Sequence, residues 1–275
     1  MLKSGLYIVS TPIGNLGDIS ERACQTLDMA DIIACEDTRM AKKLFSLLGL
    51  KSNKKFICYE DHREENVACE IVELIKSGAS IALISDAGAP LISDPGYKLV
   101  KLCRKQDIYV TAVPGASAVI SALQLSGLPT NRFMFLGFIP NKQKARIEFL
   151  KEFQNINATL IFYETAPRLT STLQAMRDIF QRREIAVARE ITKIYEECLN
   201  GTADELLAHF ALTPPKGEIV LMIAPPEKQK EDIDITAELK KYLEQMSLKD
   251  AVNAVSDLSG VKKNIIYQEA LKLKK

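Results

Sequence analysis

The sequence has no tryptophan and only two histidines, His62 and His209. With so few imidazoles, a histidine-rich zinc centre is not expected. The six cysteines, Cys24, Cys35, Cys58, Cys69, Cys103 and Cys198, form no CxxC pair, and most stand inside apolar periodic segments. This spacing excludes a zinc ribbon and reads as reduced thiols of a cytosolic protein. No apolar run approaches the roughly 18 residues that a membrane span requires. The amino terminus passes into a strand–turn pattern without the basic region and long apolar core of a signal peptide. The expected location is therefore cytoplasmic, with no membrane partner. Charge of one sign is also missing, since 36 basic residues face 35 acidic ones for a net +1. No global field marks a polyanionic partner, so any nucleic-acid contact has to come from a local basic patch.

What is present is alternation. At 275 residues, two domains and a small appendage are the natural division. Over residues 1–115, β-type runs at 6–11, 32–35, 56–59, 80–85 and 108–113 alternate with helical patterns. Asp18 with Glu21 reads as a capping box opening a helix toward Met29, a second helix ends at Gly49, and a third stops at Gly78. This βα alternation predicts a mostly parallel sheet covered by helices. The small-residue stretch 114–118 marks the hinge. A second α/β domain, 116–226, has strands expected at 133–138, 159–164, 185–189 and 218–224, and Thr202 with Glu205 forms a further capping box. A polar linker after Pro225 and Pro226 leads to a helical extension, 235–275. There Leu248, Ala251, Val252, Val255 and Leu258 share one apolar face ended by Gly260, and Asn264 is expected to cap the last helix. Two short helices around a glycine resemble a helix-turn-helix.

Chemistry concentrates at strand ends, where open α/β sheets bind ligands. The sharpest stretch is 84–96, ISDAGAPLISDPG, whose small residues let a ligand approach the backbone. The loops at 11–18 and 114–118 share that edge, and three such loops predict a cofactor cleft. The 11–18 loop carries neither a Walker sequence nor GxGxxG, so phosphate binding has little support. Acidic clusters end the second and third strands. A metal on Glu36, Asp37, Asp61 and His62 is conceivable, but carboxylates beside arginines read first as ion pairs or caps, and no metal is assigned. His209, in an amphipathic helix, reads as structural. Lys262, Lys263, Lys272, Lys274 and Lys275, set against Glu269 alone, read either as a solvated face or as a phosphate contact.

Six stretches in order, STPIGNLGDIS, CEDTR, SDAGAPLISDPG, PGASA, FYETAPRL and REITK, resemble the ribosomal RNA small subunit methyltransferase I group of the tetrapyrrole methylase superfamily. The resemblance runs from about Leu6 to Ala224 and continues into the lysine-rich tail. It implies a homodimeric S-adenosylmethionine (SAM) enzyme with a non-Rossmann cleft between two α/β domains. The implied product is a 2′-O-methylated cytidine in the decoding region of 16S rRNA, within the small ribosomal subunit. Carried onto this sequence, the resemblance implies a SAM cleft lined by Pro12, Asp86, Ala87, Gly88, Pro90, Ser117, Ala118, Tyr163, Ala188, Leu221 and Met222. A ribose hydroxyl is a weak nucleophile that needs alignment and removal of its proton. The candidate bases are Asp37, His62 and Glu164, with Arg39 and Arg189 positioning phosphate or ribose. Tetrapyrrole methylases carry GxGxGDP and a GDP loop where this chain reads TPIGNLGD and SDAGAP, a departure that argues against a tetrapyrrole substrate. Two alternatives stand beside this reading: a methylase of a corrinoid or sirohaem precursor, and a helix-turn-helix nucleic-acid binder with a non-catalytic α/β domain.

Overall fold

The computed structural model describes residues 2–51, 53–60, 64–226, 234–259 and 261–273. Asp61, His62, Gly260, Lys274, Lys275 and most of the polar linker lie outside them. The described chain forms two compact units, 1–225 and 226–275.

Five short apolar runs, β1 (Gly5–Val9), β2 (Ile32–Cys35), β3 (Lys55–Cys58), β4 (Ser80–Ile84) and β5 (Val110–Val113), form one sheet in the order β3-β2-β4-β1-β5. Every pairing in it is parallel. The inner strands β2, β4 and β1 bury residues on both faces, as a parallel sheet covered on both sides requires, while the edge strands β3 and β5 bury only Ile57 and Val113. Leu6, Ala34, Ile81 and Leu83 pack with α3 (Glu64–Lys76) and α4 (Tyr97–Lys105). Tyr7, Ile33, Cys35 and Ile84 pack on the other face with α1 (Glu21–Met29) and α2 (Thr38–Leu47).

The first helix is capped differently from the expectation. Residues 16–18 close a 3-10 turn capped by Asn15, and Ile19 is extended. Asp18 is therefore spent before the helix begins, and the Ser20 hydroxyl accepts from the Ala23 amide at 3.1 Å. The other capping box is present: Thr202 and Glu205 bond reciprocally at the start of α8 (Ala203–Leu212).

The second sheet runs β6 (Phe133–Phe138), β7 (Thr159–Thr165), β10 (Glu218–Ile223), β8 (Ile185–Arg189), β9 (Glu197–Gly201). Only β6 and β7 are parallel; the other pairings are antiparallel. The strand β9 and the helix α5 (Ala118–Leu125) have no counterpart in the sequence reading. One face packs on α6 (Gln143–Glu152), α7 (Ala166–Phe180) and α8 through Phe162, Leu221 and Met176. The other packs on α5 through Ile161, Ala188, Val220 and Met222, and takes Ile13 from the first loop.

The C-terminal unit has three helices where two were expected: α9 (Ile235–Leu243), α10 (Leu248–Ser259) and α11 (Lys263–Leu273). Their core is Leu239, Val252, Val255, Ile266 and Ala270. Leu258 is exposed rather than on the apolar face. Asn264 sits inside the first turn of α11, since the helix already begins at Lys263. Among the described residues no helix is long and apolar enough to cross a membrane.

All six cysteines are free thiols. Burial, reinforced by Cys58, Asp86 and Asp37, pushes the Cys35 thiol up to about 12, and burial alone pushes Cys103 to about 11. Thiolate is the nucleophile, so both are expected to resist alkylation until the fold opens, while exposed Cys69 reacts first. Peptide mapping after timed iodoacetamide treatment checks the order. Early labelling of Cys35 or Cys103 would contradict it.

Candidate active site

The neighbours β1 and β4 send their following loops to the same edge, where the loops bond to each other. The Thr11 amide donates to the Gly88 carbonyl at 2.8 Å, and the Gly88 amide donates back at 3.1 Å. The Thr11 hydroxyl lies 3.3 Å from the Ser85 carbonyl and 3.4 Å from that of Gly88. Gly88 has φ +80°, and a Cβ there would stand 3.1 Å from Ile13 Cγ2. Glycine is thus required twice, for the left-handed backbone and for the close approach. Beyond it, Leu91 (φ 72°) and Ser93 (φ 67°) are left-handed without being glycine. Across the cleft, Glu190 (φ 49°) and Thr192 (φ 68°) are too.

Between these loops and the second sheet lies a cavity of ≈ 360 Å³, within the range of roughly 300–1,000 Å³ typical of small-molecule sites. Ala87, Gly88, Ser93 and Asp94 form one wall, Ser117 and Ala118 begin α5, and Tyr163, Glu164, Thr165 and 217–220 form the opposite wall. Its carboxylates are Asp94, Glu164 and Glu218, and among the described residues no lysine or arginine lines it. Two of these carboxylates are answered from outside the lining, Glu164 by Arg168 and Glu218 by Lys193.

Six of the residues singled out from the sequence line this cavity: Ala87, Gly88, Ser117, Ala118, Tyr163 and Glu164. Pro12 and Pro90 sit behind it in the same loops. Asp86 does not line it; its carboxylate accepts from the Asp37 amide at 3.4 Å, and burial raises its carboxyl against the lowering effect of that bond. Ala188 and Met222 are fully buried in the apolar layer that holds Tyr163. Leu221 faces the opposite core, against α7 and α8. Ile13, Asp94, Phe138, Ile191 and the 217–220 segment were not picked out as cleft residues. Gly217, φ +82° just before β10, is a backbone signal that sequence alone does not display.

Tyr163 stacks edge-on to Phe135 at 4.8 Å, and burial plus Asp94 pushes its hydroxyl up to about 12. It therefore stays protonated, a donor, at neutral pH. Glu164 is buried: it accepts from the Thr172 hydroxyl at 2.6 Å and the Thr165 amide at 2.8 Å. Arg168 Nε stands 3.1 Å from it as an ion pair without hydrogen-bond alignment. Asp37 caps α2 and forks onto Arg39 with bonds of 3.1 and 2.7 Å, which hold its carboxyl down at about 2. Arg189 is paired with Glu197 at 2.6 Å. Lys193 joins Glu190 and Glu218 at 3.0 and 2.8 Å, tying the 189–193 loop to β10. Among the described residues no three metal-ligating side chains stand together; Asp61 and His62 lie outside them.

Residues 5–207 match the family model Tetrapyrrole (Corrin/Porphyrin) Methylases, and 229–274 match the RsmI C-terminal HTH domain. The ribosomal RNA small subunit methyltransferase I of Erythrobacter litoralis is 49% identical over 274 residues, covering 99% of this chain and 96% of the relative. This chain belongs to the ribosomal RNA small subunit methyltransferase I family. The Rickettsia prowazekii member is 50% identical over 224 residues, 82% of this chain and 79% of its own length. Among solved structures, diphthine synthase matches at TM-score 0.62 and 15% identity, covering 80% of this chain and 89% of that one. At that identity the likeness concerns the fold. For this family the departure of TPIGNLGD and SDAGAP from GxGxGDP lies in the two loops that bond through Thr11 and Gly88.

Proposed function

We propose that the protein transfers a methyl group from SAM to the ribose 2′-hydroxyl of a cytidine in the decoding region of 16S rRNA. The observation that carries this reading is the cavity itself, which has carboxylates and no basic side chain in its lining in a family of rRNA methyltransferases. SAM is cationic at its sulfonium and its ammonium, which Asp94 in the lining can face, and the Gly88 backbone closes the wall against Ile13, where a Cβ would stand 3.1 Å from Cγ2. Ala87, Gly88, Ser117, Ala118 and Tyr163 would hold it, with Ala188 and Met222 supporting from beneath. Bound there, SAM supplies an electrophilic methyl group.

The chain's own task is to align the hydroxyl and take its proton. Asp37, held at about 2 by Arg39, is a weak proton acceptor, and Glu164 is committed to Thr172, Thr165 and Arg168. We therefore assign the base role to His62, four residues beyond the end of β3, with Arg39 and Arg189 placing the backbone. Catalysis proceeds in the cytoplasm on the assembled small subunit, by a homodimer.

The test is transfer of labelled methyl from SAM to small subunits of a strain lacking the protein, followed by mapping of ribose methylation. Label on one cytidine is expected; an unlabelled rRNA would refute the reading. His62→Ala should lower kcat on the order of 100-fold or more, the usual worth of general acid–base catalysis, with SAM affinity unchanged. Parent-like kcat in that variant would remove His62 from the role.

A further inference from the structure

The basic charge of this near-neutral chain is unevenly spread. Residues 38–59 carry six basic side chains, Arg39, Lys42, Lys43, Lys51, Lys54 and Lys55, and no acidic one. With a net charge of +1 for the whole chain, the remainder is net acidic. A charge run is ordinarily a solvated face, so what matters is how many of the charges are already answered. Lys54 is turned inward onto the carbonyls of Asp28 and Ala30, and Lys55 faces Glu70 at 3.7 Å. Arg39 is paired with Asp37, although its side chain stays 89% exposed. Lys42, Lys43 and Lys51 are exposed and have no acidic partner among the described residues. Lys42 only overlies the Phe56 ring, at 5.7 Å.

This cationic face starts at the cleft. The first residues of α2 adjoin Asp86, which precedes the cavity-lining Ala87. The first turns of the ten-residue helix then carry Arg39, Lys42 and Lys43 on one side within roughly 6 Å along the axis. Met40 and Leu47 are exposed along it, apolar ground for ribose and base faces. In the C-terminal unit, by contrast, the lysine-rich α11 holds an acid that already pairs with Lys272 at 2.8 Å.

We propose that the exposed face of α2, continued by Lys51, is the docking surface for the phosphate backbone of the substrate RNA beside the target nucleotide. The inference rests on the reading of the protein as an rRNA methyltransferase. Lysine heads on this face displace counterions from the backbone, so binding through them weakens as salt rises.

The experiment uses the full-length triple variant Lys42→Gln, Lys43→Gln, Lys51→Gln, with small ribosomal subunits as the probe. Binding is followed across a salt titration and methyl transfer by label. For single-stranded contacts, the slope of log K against log salt should become shallower by roughly 0.7 per lysine, about 2 in all. KM for the subunit should rise about tenfold or more, with kcat, SAM affinity and Tm unchanged. The triple Lys→Arg variant should restore KM. Unchanged slope and KM in the glutamine variant, alongside an active parent, would overturn the docking surface alone. A parent that labels no small subunit would remove the rRNA reading and this inference with it.

Discussion

Glu164→Ala is expected to lower the unfolding free energy of the 1–225 unit by about 3 kcal/mol, within the range seen when one partner of a buried ion pair is removed. The Glu164 carboxylate is fully buried and Arg168 is 23% exposed, so water replaces little of what is lost. Three groups lose their partner at once: the Arg168 guanidinium, which keeps the Ile139 carbonyl, the Thr172 hydroxyl and the Thr165 amide. Thr165 is the cap residue of α7, and Arg168 and Thr172 stand on its first two turns. The carboxylate thus ties the end of β7 to the first two turns of α7. At roughly 2–4 °C per kcal/mol for a unit of this size, Tm should drop by about 9 °C, measurable by calorimetry. Glu164→Gln keeps the size and one acceptor, so its loss should be smaller. That variant also separates structure from chemistry. If it folds near the parent Tm yet loses methyl transfer, Glu164 is the base and His62 is not.

Gly88→Val should abolish tight SAM binding while leaving most of the fold intact. At φ +80° a β-branched residue carries strain of ~1–3 kcal/mol. Its Cβ would also press on Ile13 Cγ2 at 3.1 Å. The loop cannot relax freely, because the Gly88 amide and carbonyl are both bonded to Thr11. Relief therefore displaces either Ile13 or residues 87–89, and both line the cavity. If 2–3 kcal/mol of this falls on the bound state, SAM affinity drops on the order of 100-fold, which titration calorimetry reads directly. Gly88→Ala, with a single added carbon, should fall between the two. Parent-like SAM affinity in the valine variant would place the cofactor elsewhere.

Much of the sheet architecture was legible because β-branched runs bounded by glycine and proline have few other uses. Residues 32–35, 133–138 and 185–189 are strands with the expected ends. The failures have identifiable physics. The strand β9, ECLNG, is a half-buried edge strand without apolar alternation. The helix α5, AVISALQL, is apolar nearly all round, so no helical period shows: Val119, Ala122 and Leu123 pack on the second sheet while Ile120 and Leu125 are exposed. Asp18 with Glu21 and Ser20 with Ala23 both satisfy an N-terminal pattern, and only the 3-10 turn at 16–18 decides between them.

At the site, the near wall was readable because its small residues are contiguous in sequence. Of the far wall only Tyr163 and Glu164 were, since the rest depends on Glu218 pairing with Thr165 in an antiparallel register. That is a contact across more than fifty residues of chain. The charged clusters were ambiguous for a different reason. Whether Asp37 is a base or an ion-pair partner depends on where the Arg39 side chain turns, and composition does not encode that.

Four left-handed residues in the loops that flank the cavity, Leu91, Ser93, Glu190 and Thr192, of which Ser93 lines it, mark where the protein trades robustness for shape. Each holds a backbone that its own side chain disfavours by roughly 1–2 kcal/mol. Glycine at any of them would relieve that strain but would also free the loop in the unfolded chain and in the cleft. Attempts to make the enzyme more heat-resistant therefore have their nearest gains at the positions that shape its pocket. A variant selected there for endurance alone would be expected to drift toward a looser, less selective cleft.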